Sequence, residues 1–247
     1  MLPEPDPPSP EELQEPSGDR EARETRALWL EVAAVLLIAV VPDLWHALAF
    51  LTWPPAASTW PAAVRHTSLI LRSFQVSAPV LYLMWRSGTP WAQFGLAAPR
   101  GMSNVLWFLA VLITGYFAYA FYAGGVAAVI SAAALHRELV RIHGFTPSAD
   151  TPGEILLGGI SCIANGFAEE LAMRGYLIPR FERLLGSSLK AVLLSSVLFA
   201  SYHLYQGAYG AGSALVIGLV YGAFFCWSRR LWPLAAAHAF HGLESLF

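Results

Sequence analysis

The sequence predicts an all-α protein: a polytopic transmembrane bundle of about seven (seven or eight) spanning helices that follows a short disordered N-terminal tail. Three observations lead to this fold class. The 247 residues are 56% hydrophobic and only 13% charged, whereas soluble domains carry about 25% charged residues. The mean hydropathy is +0.50. The charges are also unevenly placed, because the first 28 residues hold eight acids and three arginines.

Residues 1–26 are rich in Pro, Glu, Asp and Ser and hold almost no large apolar side chain. A segment of this composition cannot bury a core, so we predict a disordered acidic tail. The first apolar run is too long for a signal-peptide core, and we expect no cleaved signal. An adaptor-binding segment is the functional alternative to a solvated tail.

The apolar residues form seven stretches, most of which reach the ~20 residues that a spanning helix needs. The third stretch is long enough for a tilted helix, which Gly124-Gly125 could break. The stretches are 28–52, 66–86, 103–134, 154–179, 190–206, 211–228 and 231–247.

The connections between these stretches predict the orientation in the membrane. Basic residues cluster before the first stretch and after the second, fourth and sixth, which places those connections and the N-terminus in the cytoplasm. We therefore expect a multi-pass protein of the bacterial inner (cell) membrane, with membrane lipid as a partner. The formal net charge of −2 gives no reason to expect a nucleic-acid partner.

Two connecting segments suggest contact with the membrane surface. Thr89–Arg100 is predicted to be an interfacial loop with Trp91 and Phe94 at the headgroups. In 135–145, apolar residues recur at a spacing that fits an amphipathic helix on the outer surface.

Two adjacent carboxylates and an arginine interrupt the fourth apolar stretch. An ionised side chain near the bilayer centre costs roughly 2.5–3.5 kcal/mol on insertion scales. We therefore expect these charges to be paired with one another or to serve a function. Glu170 and Arg174 are four residues apart and can pair on one helix face. Glu169 points about 100° away from Glu170. The spacing therefore predicts one paired carboxylate and one that faces a cavity.

Two further charges, Asp43 and Arg72, fall inside the first and second stretches. We predict a structural ion pair between the two helices, with substrate contact as the alternative.

Histidines in two later stretches lie at a depth similar to that of Glu169. Counted from the nearest cytoplasmic basic residue, the depths are about 16 Å for Glu169, about 20 Å for His203 and about 12 Å for His238. Phe199 precedes His203 by four residues, on the same helix face. Titratable groups on three helices at matched depth predict a polar site inside the membrane.

Other membrane-protease designs do not fit the sequence. No His-Glu-x-x-His zinc motif occurs. Asp43 is the only aspartate inside a stretch, and Ser213 does not stand in a Gly-x-Ser context. Cys162 and Cys226 both lie in apolar stretches and indicate neither a disulfide framework nor a zinc–thiolate site.

Three motifs occur in order: Glu169-Glu170-x-x-x-Arg174, Phe199-x-x-x-His203 and His238 followed four residues later by Gly242. With Phe-Gly-Leu at 94–96, they resemble the CAAX-protease and bacteriocin-processing (CPBP, or ABI) family of glutamic-type intramembrane endopeptidases. The resemblance implies a catalytic core at about 150–247. We expect residues 27–149 to form N-terminal transmembrane helices with an interfacial loop.

The resemblance also implies roles for individual residues. Glu169 would be the general base that activates a water, and His203 would hold that water with it. Glu170 and Arg174 would be a supporting pair. Phe199 would pack in the site.

The third motif departs from the family pattern. His238 would help to polarise the scissile carbonyl, but Gly242 stands where the family commonly has an asparagine that donates to the oxyanion. His241, on nearly the same helix face, is a candidate substitute. Losing one such donor typically costs about 10²–10³ in rate.

The resemblance favours a metal-free mechanism with no cofactor. Zinc is the alternative, because Glu169, His203 and His238 could form a three-ligand site with an open position for water.

We expect an intramembrane endopeptidase that acts on a membrane-associated peptide or protein. Prenylated CAAX-type tails, leaders and C-terminal sorting tails are all compatible substrates. Two other classes stay open. One is a non-catalytic membrane partner, either immunity-type or a scaffold. The other is a proton- or ion-coupled transporter, for which no inverted repeat is visible.

Overall fold

A computed structural model describes residues 17–52, 60–99, 101–132, 134–136, 151–244 and 246. Every regular element in these ranges is helical, which confirms the all-α class. Two 3₁₀ turns, Trp91–Phe94 and Leu204–Gln206, and a π-helical segment, Leu171–Leu177, accompany the α-helices. The α-helices are α1 Ser17–Ala39, α2 Val41–Thr52, α3 Ala62–Arg86, α4 Gly101–Val129, α5 Pro152–Glu170, α6 Ile178–Leu185, α7 Ser188–Ser201, α8 Gly207–Ser228 and α9 Trp232–Glu244.

The first helix begins earlier than predicted. Residues 17–26, assigned to the disordered tail, form the opening turns of α1, and residues 1–16 lie outside the described part. Glu24 explains the difference, because its carboxylate is 3.3 Å from Arg20 Nε one turn away and 3.1 Å from Arg183 Nη2 on α6. A polar segment without a core can thus continue a helix when ion pairs hold it.

The first apolar stretch folds into two helices rather than one straight span. α1 and α2 meet at an angle of 41°. Pro42 stands in the first turn of α2, where it lacks an N–H group and its ring crowds the preceding turn. The proline therefore accounts for the bend.

The helices coincide with the seven predicted apolar stretches but do not establish seven spans. Among the described residues, three helices are long and apolar enough to cross a bilayer: Gly101–Val129, Pro152–Leu185 and Leu204–Ser228. The number of candidate spans rises to four if the bent α1–α2 pair forms one span. Helix α7 is also apolar but shorter. These helices support an integral membrane protein, while the number of spans stays a prediction.

Two smaller expectations concern the third stretch and the loop after it. α4 runs through Gly124-Gly125 to Val129 without a break. Most of the amphipathic helix predicted at 135–145 lies outside the described residues, because residues 137–145 are not among them.

The predicted ion pair between the first two stretches is confirmed. Arg72 on α3 donates from Nη2 to Asp43 Oδ2 at 2.9 Å and from Nε to Asp43 Oδ1 at 3.3 Å. This two-point contact joins α2 to α3 and neutralises two charges that a bilayer would otherwise disfavour.

One long helix carries the predicted acidic motif. Pro152–Leu185 runs as 34 continuous helical residues through α5, the π-helical segment and α6. Its start has a reciprocal capping box between Thr151 and Glu154. Gly186, with a φ of +64°, ends it.

The loop after α3, which was predicted to lie at the lipid headgroups, packs into the protein. Trp91 is 36% exposed, but Phe94 is 0% exposed, which contradicts the interfacial position expected for it. The Phe94 ring lies 6.4 Å from that of Tyr176. The carbonyl of Gly95 accepts a hydrogen bond of 2.9 Å from the N–H of Leu231. This loop therefore joins the N-terminal helices to the start of α9.

The two halves of the chain share one hydrophobic core. Val35 of α1, Val80 of α3 and Phe94 belong to the same buried cluster as Leu171 of the π-helical segment and Tyr221 of α8. The N-terminal helices thus pack directly against the segment that carries the acidic motif.

The close approach of this loop to α9 gives a stability test. Gly95 has a φ of +77°, and an added Cβ would lie 2.8 Å from both Leu231 N and Phe225 Cε2. Gly95→Ala should lower the free energy of unfolding by about 2–5 kcal/mol, through left-handed backbone strain and overpacking. Gly88 is the control, because its φ is +63° but nothing lies near its Cβ position. Chemical unfolding in detergent, followed by tryptophan fluorescence, should show a much smaller loss for Gly88→Ala. Equal losses would contradict the packing argument.

Candidate active site

The paired carboxylate of the acidic motif is completely buried. Glu170, the last residue of α5, is 0% exposed, and Arg174 in the π-helical segment is 1% exposed. Arg174 Nη1 donates to Glu170 Oε1 at 2.9 Å. The pairing therefore forms as the four-residue spacing predicts. It holds the negative charge of Glu170 inside the bundle, where an unpaired charge would be strongly disfavoured.

His238 on α9 lies between the two carboxylates. Its Nδ1 is 2.8 Å from Glu170 Oε1 and its Nε2 is 3.4 Å from Glu169 Oε2. Carboxylates only accept hydrogen bonds, so a ring protonated at both nitrogens suits both neighbours.

A close contact between α5 and α9 brings this histidine to the acids. A Cβ added to Gly166 would lie 2.9 Å from the backbone nitrogen of Ala239. Any side chain at 166 would push α9 away. The glycine one turn before Glu170 therefore sets the distance between the acidic motif and His238.

Glu169 differs from its neighbour in exposure. Its side chain is 21% exposed and that of His238 is 19% exposed, whereas Glu170 is sealed. The two acids thus divide as predicted into one with access and one that is enclosed. Among the described residues, Glu169 Oε2 is within ion-pair distance of His238 but has no hydrogen-bond partner.

The ring of Phe199 is the surface on which the rest of the site packs. The Arg174 guanidinium carbon lies 4.5 Å from its centroid. The ring centroids of His203 and His238 are 4.6 Å and 6.0 Å away. Phe199 therefore contacts Arg174 and both histidines.

His203 lies in the turn after α7 and is oriented by its own helix. Its Nδ1 is 2.8 Å from the main-chain carbonyl of Phe199. A carbonyl only accepts, so Nδ1 carries a proton and Nε2 of the neutral ring is left as an acceptor. His203 and His238 both pack on the Phe199 ring, which places them near each other. The structure thus gathers the acid of α5 and the imidazoles of α7 and α9 in one region.

His241 and Gly242 lie one turn beyond this cluster. His241 Nδ1 is 3.5 Å from Glu244 Oε2, and its ring is 4.8 Å from that of Tyr116 on α4. Its contacts in the described residues are thus directed towards α4. A Cβ at Gly242 would lie 3.1 Å from Cys162 Cβ on α5. A larger side chain at 242 would therefore require the Cys162 side chain to shift.

Sequence reasoning missed Tyr221, a fully buried residue of α8. Its ring centroid lies 5.7 Å from the guanidinium carbon of Arg174 and 6.4 Å from the His238 ring. Its hydroxyl is buried and has no hydrogen-bond partner among the described residues. The sequence signal for this residue was a tyrosine in the middle of an apolar helix, where a buried hydroxyl group usually needs a hydrogen-bond partner.

The possible zinc ligands do not form a metal-binding group. In the described part of the chain, no set of three His, Cys, Asp or Glu side chains has a suitable arrangement. Glu169, His203 and His238 lie in one region, and Nδ1 of each histidine faces an acceptor: the Phe199 carbonyl for His203 and Glu170 Oε1 for His238.

The fold and the site together define an all-helical membrane protein with a carboxylate–imidazole cluster buried among its helices. Residues 151–243 match the family model described as "Type II CAAX prenyl endopeptidase Rce1-like". This part of the chain is therefore similar to a CAAX-type protease family, which confirms the resemblance seen in the motifs. Comparisons with curated proteins and with solved structures gave no match.

The burial of the supporting pair predicts a large effect on stability. Arg174→Ala would leave Glu170 as an enclosed charge, and removing one partner of a buried pair typically costs about 3–5 kcal/mol. Arg183→Ala is the matched control, because the Arg183–Glu24 pair has side chains 62% and 49% exposed. Exposed pairs contribute about 0–1 kcal/mol. Denaturant unfolding in detergent should separate the two variants clearly. Similar midpoints would mean that the buried pair does not hold the site.

Proposed function

We propose that this protein is an intramembrane endopeptidase in which Glu169 activates a water that attacks a peptide bond. The arrangement of two carboxylates around His238, one sealed and one accessible, supports this proposal most directly. A sealed, neutralised acid can orient the imidazole, while the accessible acid is available to act as a base.

The proposed reaction begins with a water held between Glu169 and His203 Nε2. Glu169 removes one proton as the water oxygen forms a bond to the scissile carbonyl carbon. The carbonyl oxygen then carries negative charge, which a His238 N–H stabilises. When the tetrahedral intermediate collapses, the C–N bond breaks and Glu169 returns the proton to the leaving nitrogen. Water is thereby divided between the two products, and no covalent enzyme intermediate forms.

Glu170 and Arg174 support this reaction without contacting the substrate. The 2.8 Å contact between Glu170 Oε1 and His238 Nδ1 fixes the imidazole plane and keeps a proton on that nitrogen. Nε2 is thereby directed to the side of Glu169, where substrate and water would bind. Arg174 holds the Glu170 carboxylate in place through the 2.9 Å contact between Nη1 and Oε1.

We propose a metal-free mechanism. The observation that supports it is that the described residues contain no suitably arranged group of three His, Cys, Asp or Glu side chains. If zinc were bound instead, Glu169, His203 and His238 would hold it and it would supply an activated water.

The substrate is proposed to be a membrane-associated peptide or protein. The matched family is described as a CAAX prenyl endopeptidase family, which makes a prenylated CAAX-type tail the first candidate. Leaders and C-terminal sorting tails are the others. The cytoplasmic N-terminus and the bacterial inner membrane are also proposals, supported by the distribution of basic residues.

One observation favours a non-catalytic alternative, an immunity-type partner or scaffold. Gly242 offers no side-chain donor, and His241 faces Glu244 and Tyr116. Whether His241 can substitute as the oxyanion donor stays a prediction. An enzyme that lacks one such donor should still act, but about 10²–10³ more slowly.

Three substitutions test the proposed chemistry. Glu169→Gln, His203→Ala and His238→Ala should each lower kcat by about 10²–10⁴, the usual contribution of general acid–base catalysis. The measurement is cleavage of fluorogenic prenylated CAAX-type, leader and sorting-tail peptides by purified protein. A chelator series on the wild-type protein should leave its rate unchanged.

Two matched controls keep this test specific. His66 is also a buried membrane-helix histidine, but it lies 3.0 Å from Ser161 Oγ, away from the acids. Glu182 pairs with Arg229 at the end of the long helix. His66→Ala and Glu182→Gln should retain cleavage. Cleavage by Glu169→Gln at the wild-type rate would contradict the glutamate mechanism.

A further inference from the structure

A hydrogen bond joins the acid-bearing helix to the helix that carries Phe199, and the reaction described above does not use it. Ser195 on α7 is 1% exposed. Its hydroxyl donates to the main-chain carbonyl of Met173 at 2.9 Å. Met173 lies in the π-helical segment Leu171–Leu177, all of whose residues are buried.

The π-helical segment is an unusual element that needs support. Its turns are wider than those of an α-helix, they interrupt the regular i to i+4 hydrogen bonding, and they are frequently found at functional sites. A buried main-chain carbonyl also needs a donor. Ser195 supplies one from a neighbouring helix, so the wide turn is held by a contact outside its own backbone.

The position of this segment links it to the reacting groups. It begins directly after Glu170 and contains Arg174. A shift from π-helical to α-helical bonding would rotate the residues on one side of the segment by about 100° relative to those on the other. Glu169 and Glu170 lie before the segment, and Arg174 lies within it. Such a rotation would therefore break the contacts of the two glutamates with either Arg174 or His238.

Ser195 also fixes the helix on the other side of the contact. Ser195 and Phe199 are four residues apart on α7 and therefore share a face. Phe199 in turn holds His203 through its carbonyl and its ring. A displacement of α7 at Ser195 would thus carry His203 away from Glu169.

We propose that Ser195 is a positioning residue. Its hydroxyl holds the π-helical segment against α7 so that Glu169 and His203 keep the separation at which they share one water. This proposal rests on the proposed function for its kinetic consequence, while the structural contact stands by itself.

The adjacent Ser196 offers a matched control. Ser196 is also 1% exposed, but its hydroxyl donates to the carbonyl of Val192 in its own helix at 2.7 Å. Replacing either serine with alanine removes one buried hydroxyl from the same turn of α7. Only Ser195→Ala removes the bond to the acid-bearing helix.

The kinetic test compares the two variants on a fluorogenic prenylated CAAX-type peptide. A displacement of about 1 Å can cost about 10²-fold in rate. Ser195→Ala should therefore lower kcat by about 10–10²-fold and leave KM unchanged, since substrate binding is untouched. Ser196→Ala should keep the wild-type kcat. Equal kcat values for the two variants, or a loss confined to KM, would overturn the positioning role.

A second measurement does not depend on activity. Hydrogen–deuterium exchange in detergent should become faster across residues 169–177 in Ser195→Ala but not in Ser196→Ala, with the remaining helices unchanged as a check on folding. Unchanged exchange in that segment would overturn the proposal. A wild-type protein that fails to cleave the peptide would count against the proposed function, and the exchange result alone would then decide whether Ser195 holds the segment.

Discussion

The charge of Glu170 is the constraint on which the site depends. A carboxylate with no exposed surface needs partners, and it finds one on its own helix, Arg174, and one on α9, His238. The first partner is a matter of local spacing, whereas the second requires two distant helices to meet. Burial of this acid therefore ties the geometry of the site to folding, because movement of α9 would break the contact between His238 and the enclosed carboxylate.

The close approach of α5 and α9 makes this arrangement possible and also limits it. Gly166 lets the backbone of Ala239 come near, which places His238 between the acids. The same proximity continues to Gly242, whose Cβ position lies 3.1 Å from Cys162. Position 242 thus lies within the close packing of the two helices and carries no side-chain donor.

The N-terminal helices help to enclose the segment that carries the acidic motif. Tyr176 donates to Glu31 of α1 at 3.0 Å, and the guanidinium of Arg180 lies 5.2 Å from the Phe94 ring. Local patterns gave no sign of these contacts. Phe94 resembles an interfacial aromatic in sequence, and residues 17–26 resemble a solvated tail. Both are positioned by partners more than 80 residues away, which no local pattern contains.

Composition and spacing were enough to predict the helical class, the positions of the apolar helices, the Asp43–Arg72 pair and the difference in exposure between Glu169 and Glu170. These follow from composition and from the periodicity of one helix, both of which are local properties of the chain. Three features became visible only in the folded protein. His238 lies between the two acids, and His241 faces α4. A π-helical segment, which Ser195 of α7 contacts, separates the acids from α6. Those features depend on how closely helices approach and which faces meet, and long-range packing sets both.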